Sequence, residues 1–539
     1  MSPTITLSTS FLLLLTPVFF FSYFISSFIR LLVLQYLSPL RILNGPPSPS
    51  MFMGNLAEMH DQENNNLVAR WESLYGSTFV YRGFIGGRRL MTIDPVAVAH
   101  VLGHAYDYPK PDFVRDSLAT MVGGHDGLLT VEGSTHQRQV PQNIGEFTLD
   151  IPHFAENASR ANLVPLSGVD PSAISITPSR PCPSYLYFVL ISPSRQAPAF
   201  SASHIKSLTP IFWAKATELR DIWLHTADSR PGPVPPRIDA LSWLARATLD
   251  VIGLAGFGYT FNSLISDRDE LAEAFSIIFS TARKFRVMTI LQVWFPILRR
   301  FRRNSTAMTQ AQQTMHRIGT GLIEEKKRGF LSEKGVPMSA IDGDKSLLGR
   351  DLLSVLIRSN LAAAPSQCMS TEEVLSQIST FLAAGHETTS SAMTWCLYAL
   401  TQNPKVQRKL RQVLIELDAD MEACEGEGGE ARQRELTERI SRCEYLDWVI
   451  RESLRVHAPV TNTMRVCMRD EDEIPVSQCD YGQQGPGGGY LDREGNRRWS
   501  IRIKKWDIIS IPIQAINKSQ ALWGEDAQVF RRVISITYF

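Results

Sequence analysis

Between Ser370 and Pro404 the sequence describes one long helix, and that helix limits what the rest of the chain can be. Ser370 and Glu373 have the spacing of a capping box, which fixes a helix start. Val374, Leu375, Ile378, Phe381 and Leu382 then recur at helical spacing. Trp395, Cys396, Ala399 and Leu400 carry the pattern on to Asn403-Pro404, a stop signal. The pattern predicts a helix buried along much of its length, yet its centre is small and polar. Gly385 costs roughly 1 kcal/mol against alanine in a helix interior. Glu387, Thr388 and Thr389 bring hydrogen-bonding groups into an apolar setting. Two readings fit: a core helix with a solvated polar patch, or a helix opened locally to handle a small polar ligand, protons or water. A local rule broken mid-element points to the second. A zinc-protease site is excluded, because His386-Glu387 would need a second histidine where Ser390 stands.

The rest of the chain sets bounds on partners and compartment. Its 539 residues suffice for one large domain. With 55 basic against 54 acidic residues, charge gives no support for nucleic-acid binding. The seven cysteines lie far apart without paired metal spacing, as free thiols in a reducing compartment would. From Phe11 to Ile29 every residue is uncharged and most are bulky and apolar, about the length that spans a bilayer. A cleaved signal peptide would want a basic leader, and residues 1–10 carry no charge. Arg30 and Arg41 follow, placing the C-terminal side of the span in the cytosol. Gly45-Pro46-Pro47-Ser48-Pro49 reads as a stiff linker.

Further along, residues 78–82 and 89–93 read as short strands, and Asp94-Pro95 as the cap and first position of a helix. From about 140 to 195 prolines recur without a helical period, in a stretch too long for a structureless loop inside a domain. Helices are expected over 205–226 and 238–256. Residues 285–303 mix apolar bulk with arginines, either a solvated helix over a core or a surface resting on membrane. Residues 418–430, rich in Glu and Gly, read as an exposed loop, 482–489 as a flexible hairpin tip, and 501–504 and 508–513 as strands. Glu452 and Arg455 share a helical face. At a surface such a pair adds little, but Tyr445, Leu446, Trp448, Val449 and Leu454 around it suggest burial, where charges must be paired.

Ala384-Gly385-His386-Glu387-Thr388-Thr389 resembles the oxygen-activation motif of the cytochrome P450 family, the haem-thiolate monooxygenases. Glu452-Ser453-Leu454-Arg455 resembles the family's Glu-x-x-Arg signature, in the expected order. The resemblance runs from about residue 46 to 530, with a gap near 140–195. It implies a mainly α fold with a small β region, a triangular prism, on one N-terminal transmembrane helix. Residues 1–44 would be the anchor and 45–539 the cytochrome P450 domain. It implies haem as cofactor, with Ala384 and Gly385 at the haem face, Glu387 serving proton delivery and Thr388 oxygen activation. His136 matches a propionate-binding position. The arginine usual four residues on is Val140 here, with Arg138 as a substitute. Arg465, in Thr463-Met464-Arg465, is either a propionate ligand or an exposed strand arginine. The Glu452–Arg455 pair would be structural. The reaction implied is insertion of one oxygen atom from O2 into an apolar organic substrate, as in secondary metabolism. Electrons would come from an NADPH-cytochrome P450 reductase, at the endoplasmic reticulum membrane and among its lipids.

Two departures from the family pattern set further expectations. The flanks of 140–195 match adjoining family segments, so an insertion is expected there, an intron read in frame or a lineage-specific loop. The family carries its haem ligand in a Phe-x-x-Gly-x-Arg-x-Cys-x-Gly loop. Beyond Arg455 only Cys467 and Cys479 remain, and neither has that surrounding. The expectation is that the loop, which follows residue 530 in the family, is missing and that no protein metal ligand is present. The alternative function is then a membrane-tethered remnant without catalysis.

Overall fold

The computed structural model describes residues 66–143 (except 123), 202–229, 236–283 (except 267–268), 306–333, 351–362, 368–422, 429–477 and 488–531, with most of 22–60. The expected insertion at 140–195 falls almost wholly outside them. So do residues 285–303, residues 482–487 and the larger part of the apolar run Phe11–Ile29, whose described residues are helical.

A small sheet region forms one side of the body. β1 (Thr78–Arg82) pairs antiparallel with β2 (Arg88–Thr92). β2 lies parallel to β8 (Ile508–Ile511), and β8 runs antiparallel to β3 (Thr463–Val466). β4 (Glu471–Pro475) pairs with β7 (Ser500–Lys504), where Ile501 and Ile503 point inward and Arg502 outward. β5 (Tyr490–Leu491) and β6 (Arg497–Arg498) form a third, two-stranded piece. The helix Pro95–Gly103 closes the sheet's core with Ala97, Val98 and Val101. Asp94 caps it, accepting from Val96 N and Ala97 N, and Pro95 takes the first position, where no N–H is needed.

The proline-rich segment is not a free linker. Val80 N donates to Asn44 O at 2.9 Å, and Asn55 Nδ2 donates to Pro47 O at 2.8 Å. Gly45 is pressed so closely to β1 that a Cβ there would stand 1.8 Å from Val80 O. Prolines that cannot donate suit a strand laid along an edge.

The helical side is built on Thr371–Gln402, the long helix. Its first half meets Glu270–Arg283, Thr306–Glu333 and Leu352–Ala362 in one core, through Val374, Ile378, Leu382, Ile278, Ile323 and Leu353. Its last turns meet Pro404–Glu422 and the Glu-x-x-Arg helix Glu444–Val456 through Ala399, Leu400, Val406, Val449 and Val456. The helix Ala240–Ile252 lies alongside it. Ala240–Phe257 is the one stretch among the described residues long and apolar enough to cross a membrane, but it packs in the body as a core helix. The expected loop at 418–430 is corrected at both ends. Pro404–Glu422 and Gly429–Ser441 are helices, because Glu and Lys/Arg at four-residue spacing, as in Glu435–Arg439, support a solvated helix as well as a loop.

Candidate functional site

The first half of the long helix is tied down by polar groups. Ser370 Oγ accepts from Glu373 N at 3.2 Å and Glu373 Oε2 accepts from Ser370 N at 2.8 Å, closing the capping box. One turn on, the buried Gln377 accepts from Leu128 N and donates to Gln139 Oε1, both at 3.0 Å.

The polar centre does not open the helix, which runs unbroken through Gly385. The expected local opening is therefore corrected. Gly385 lies close against Ile252, where a Cβ would stand 3.1 Å from Cδ1 and that side chain would have to shift a little. Beside it, Thr248 Oγ1 reaches His386 O at 3.2 Å. The hydroxyls are held by the helix itself: Thr388 Oγ1 donates to Ala384 O at 2.5 Å, and Thr394 Oγ1 to Ser390 O at 2.7 Å. Ala384, Thr388, Ser391, Trp395 and Tyr398 follow at three- and four-residue steps and share one face. Ala384, Trp395 and Tyr398 are exposed, Thr388 and Ser391 half-buried, whereas Leu382, Ala383 and Ser390 on the other side are buried. Gly385, His386 and Glu387 are half-buried.

A cluster of cationic side chains gathers where β3 runs beside residues 106–110. Val466 N donates to Pro109 O at 2.9 Å. Lys110 Nζ donates to Leu129 O at 3.0 Å, and Arg465 Nη1 to Met464 O and Thr463 Oγ1, both at 2.8 Å. The Tyr106 hydroxyl lies 3.3 Å from His136 Nδ1. Glu132 accepts from Lys110 N at 3.1 Å and pairs with Arg115 at 3.7 Å. Burial, and then Arg465, pull Lys110 down to about 8. Burial also lowers Arg465, and burial with Lys110 lowers His136. Lys110 and Arg465 thus stand close to Glu132, whose own pKa burial raises. Arg138 does not join them: it donates to Cys368 O at 2.9 Å and forms an ion pair with Glu373. The propionate role expected of Arg138 is corrected, since its guanidinium is spent on the helix N-terminus, where it doubles the capping box. Lys110 and Glu132 escaped the sequence reading. The available signal was a lysine whose backbone is stiffened by Pro109 and Pro111.

Glu452 and Arg455 form a buried two-point pair, Nε to Oε2 at 2.8 Å and Nη2 to Oε1 at 2.7 Å. Arg455 also donates to Asn517 O, Ala527 O and Val529 O, and Glu452 accepts from Arg531 N. Trp523 lies under the guanidinium at 5.2 Å. All five N–H groups of Arg455 are thereby used, Glu452 accepts three hydrogen bonds, and residues 517–531 are bound to the helix.

A mainly α body, a long helix with one open, polar-centred face, and a buried cationic cluster agree with the haem-monooxygenase class that the sequence motifs resemble. The family model for cytochrome P450 matches residues 194–474. "Cytochrome P450 monooxygenase 205" of Postia placenta is 37% identical over 503 residues, 92% of this chain and 76% of that protein. "Cytochrome P450 monooxygenase 128" of the same fungus is 36% identical, over 93% of this chain and 78% of that protein. "Cytochrome P450 monooxygenase claW" of Ampulloclitocybe clavipes is 28% identical over 90% and 75%. The chain belongs to the cytochrome P450 family, haem-dependent monooxygenases that take electrons from a reductase and act on organic substrates.

The residues present fit haem on two sides. The face of Ala384 and Thr388 offers small side chains against which a flat ring can lie, and Lys110, His136 and Arg465, beside the single carboxylate of Glu132, would hold the two haem carboxylates. Axial thiolate is another matter: among the described residues no cysteine suits it. Cys467 is fully buried, donates to Arg469 O at 3.5 Å and is pushed up by burial to about 11, the reverse of a thiolate. Cys396 is raised by burial, Cys443 is buried, and Cys368 donates to Asn360 O. Cys479 lies outside the described residues.

Proposed function

We propose that this chain is a membrane-tethered monooxygenase of the endoplasmic reticulum, its body in the cytosol. Its electrons come from an NADPH-cytochrome P450 reductase and its substrate is an apolar small molecule. The uncharged run Phe11–Ile29 followed by Arg30 and Arg41 supports the tether and its direction. The observation that carries the chemistry is the Thr388 hydroxyl on the open face of the long helix. When bound, haem supplies the activation of O2 and the insertion of one of its atoms into substrate. Thr388 commits its proton to Ala384 O, so its lone pairs are left to accept a hydrogen bond on the open side. To donate a proton there it must release Ala384 O, which is a gate on proton delivery. Glu387, adjacent and half-buried, is the carboxylate placed to reload it. Lys110, His136 and Arg465 hold the cofactor carboxylates and fix the ring's orientation.

Thr388→Ala tests this reading. In the haem-loaded, reductase-supplied protein, NADPH consumption should persist while product falls by about a hundredfold or more and peroxide rises, the scale of a lost proton-transfer group. Full coupling in the variant would reduce Thr388 to a packing residue.

A further inference from the structure

The helix Pro95–Gly103 ends on a pair of histidines that the haem cluster leaves unused. Ala97, Val98 and Val101 take its buried face, which leaves His100 half-buried and His104, the residue that closes the helix, exposed. Residues four apart lie on one face of a helix. The two rings meet there, with centroids 4.4 Å apart and planes tilted by 37°. The tautomer of His104 follows from its partner. Its Nδ1 stands 2.8 Å from His100 O, which also accepts from His104 N at 3.1 Å. A carbonyl oxygen can only accept, so Nδ1 carries the proton and Nε2 presents a lone pair. A ring N–H fixed on a backbone carbonyl is the arrangement that orients metal-binding histidines. His100 has a carboxylate in the matching place. Asp472 Oδ2 lies 3.8 Å from its Nε2 and accepts from the Tyr108 hydroxyl at 2.5 Å. Arg469, which also reaches Asp472 at 3.5 Å, is paired with Asp107 at 2.8 Å.

The spacing of the rings selects the kind of ion. A metal bound through nitrogen at about 2.0 Å stands about 3.2 Å from the imidazole centroid. Two rings that meet the ion at a right angle then have centroids about 4.5 Å apart, and two at the tetrahedral angle about 5.2 Å. The observed 4.4 Å fits the right angle, which tetragonal Cu2+ and Ni2+ adopt and tetrahedral Zn2+ does not. Cu2+ is also the ion that nitrogen ligands hold most tightly in the first transition row. Among the described residues no group of three histidine, cysteine or carboxylate side chains is set to hold a metal, so water fills the positions that the pair leaves open.

We propose that His100 and His104 form a two-nitrogen site for a divalent transition metal of tetragonal preference, Cu2+ foremost, at the end of this helix. His104 binds through Nε2 and His100 through the nitrogen away from Asp472, which stands behind it as the outer carboxylate. The chain that follows His104 carries Tyr106 and Lys110 of the cationic cluster, so a bound ion restrains the segment leading into it.

The test titrates Cu2+ into the untagged full chain in detergent, following tryptophan quenching, with an electron paramagnetic resonance spectrum at one equivalent. Wild type should give one site whose axial spectrum is split by two nitrogens. His104→Gln should weaken that site by at least about tenfold to a hundredfold, since loss of a mere outer-shell partner already costs that much. His104 is exposed, so its replacement leaves the core intact, and His100→Gln should repeat the loss. His225→Gln, an exposed histidine on the helix Ala202–Asp228, should leave the site unchanged. Equal Cu2+ affinity in wild type, His100→Gln and His104→Gln overturns the site. An equal loss in His225→Gln overturns it too, as adventitious surface binding only. Zn2+ bound as tightly as Cu2+ overturns the tetragonal assignment.

Discussion

The two halves of the helix Thr371–Gln402 are built differently. From Thr371 to Ala383 its long polar side chains are bound by other parts of the chain: Glu373 by Ser370, Gln139 and Arg138, and Gln377 by Leu128 and Gln139. Its apolar face is buried in a core shared with three other helices. From Ala384 to Tyr398 one face is exposed, the Thr388 and Thr394 hydroxyls bond back to their own helix, and its long-range aromatic contacts both go to His457, Trp395 stacked at 4.6 Å and Tyr398 edge-on at 6.1 Å. A single helix thus serves as a fixed post for half its length and as a working surface for the rest. The last turns return to a core, where the Glu452–Arg455 pair locks residues 517–531. Stability and function are separated along the helix, so substitutions should sort by half.

The largest effect belongs to the lock at the far end. Arg455→Ala should cost about 3–5 kcal/mol in urea unfolding, because it strands Glu452 without its partner. Recovery of most of that loss in Glu452→Leu with Arg455→Met would confirm stranding as the cause. Next come the two halves against each other. Gln377→Leu should cost about 1–3 kcal/mol, since it orphans Leu128 N and Gln139. Tyr398→Ser, on the open face, should stay within about 0.5 kcal/mol. Equal losses at the two positions would erase the distinction.

The smallest effect is a pH dependence at His457, which caps Glu444–Val456 and stacks on Trp395 of the open half. Burial, and then Lys518, push His457 down to about 4. The unfolded chain titrates near its ordinary value of about 6.5. Between those values the unfolded state binds a proton that the folded state refuses, so this contribution is present above 6.5 and is lost as pH falls through 4. His457→Gln should flatten the stability profile across that window and leave it unchanged above it. A slope unaffected by the substitution would place the titration elsewhere.

What the sequence made legible was local. The capping box, the Asp94 cap, β1 and the helix stop at Asn403 each depend on residues a few positions apart. The misreadings share one cause, partners far away in the chain. Gly45 to Pro49 looked like a linker because its neighbour, Val80, lies outside any sequence window. Arg138 looked like a haem ligand because Glu373, which takes it, is 235 residues on. Gly385 looked like a weak point because Ile252, which lies close against it, belongs to another helix. Lys110 gave no signal beyond its flanking prolines, since its pull toward anions arises only when β3 brings Arg465 beside it.

That cluster is the most direct test of the account, which holds that Lys110 and Arg465 exist for the cofactor's carboxylates and Arg138 for the helix. Haem should be titrated into wild type, Lys110→Ala with Arg465→Ala, and Arg138→Ala, following absorbance and tryptophan quenching. The double variant should bind haem about tenfold to a hundredfold more weakly, the scale of one or two lost charge-assisted hydrogen bonds. Its binding of haem dimethyl ester, which has no carboxylates, should equal the wild type's. Arg138→Ala should lose stability and keep haem affinity. Equal haem affinity in wild type and double variant, or a loss only in Arg138→Ala, would contradict the assignment.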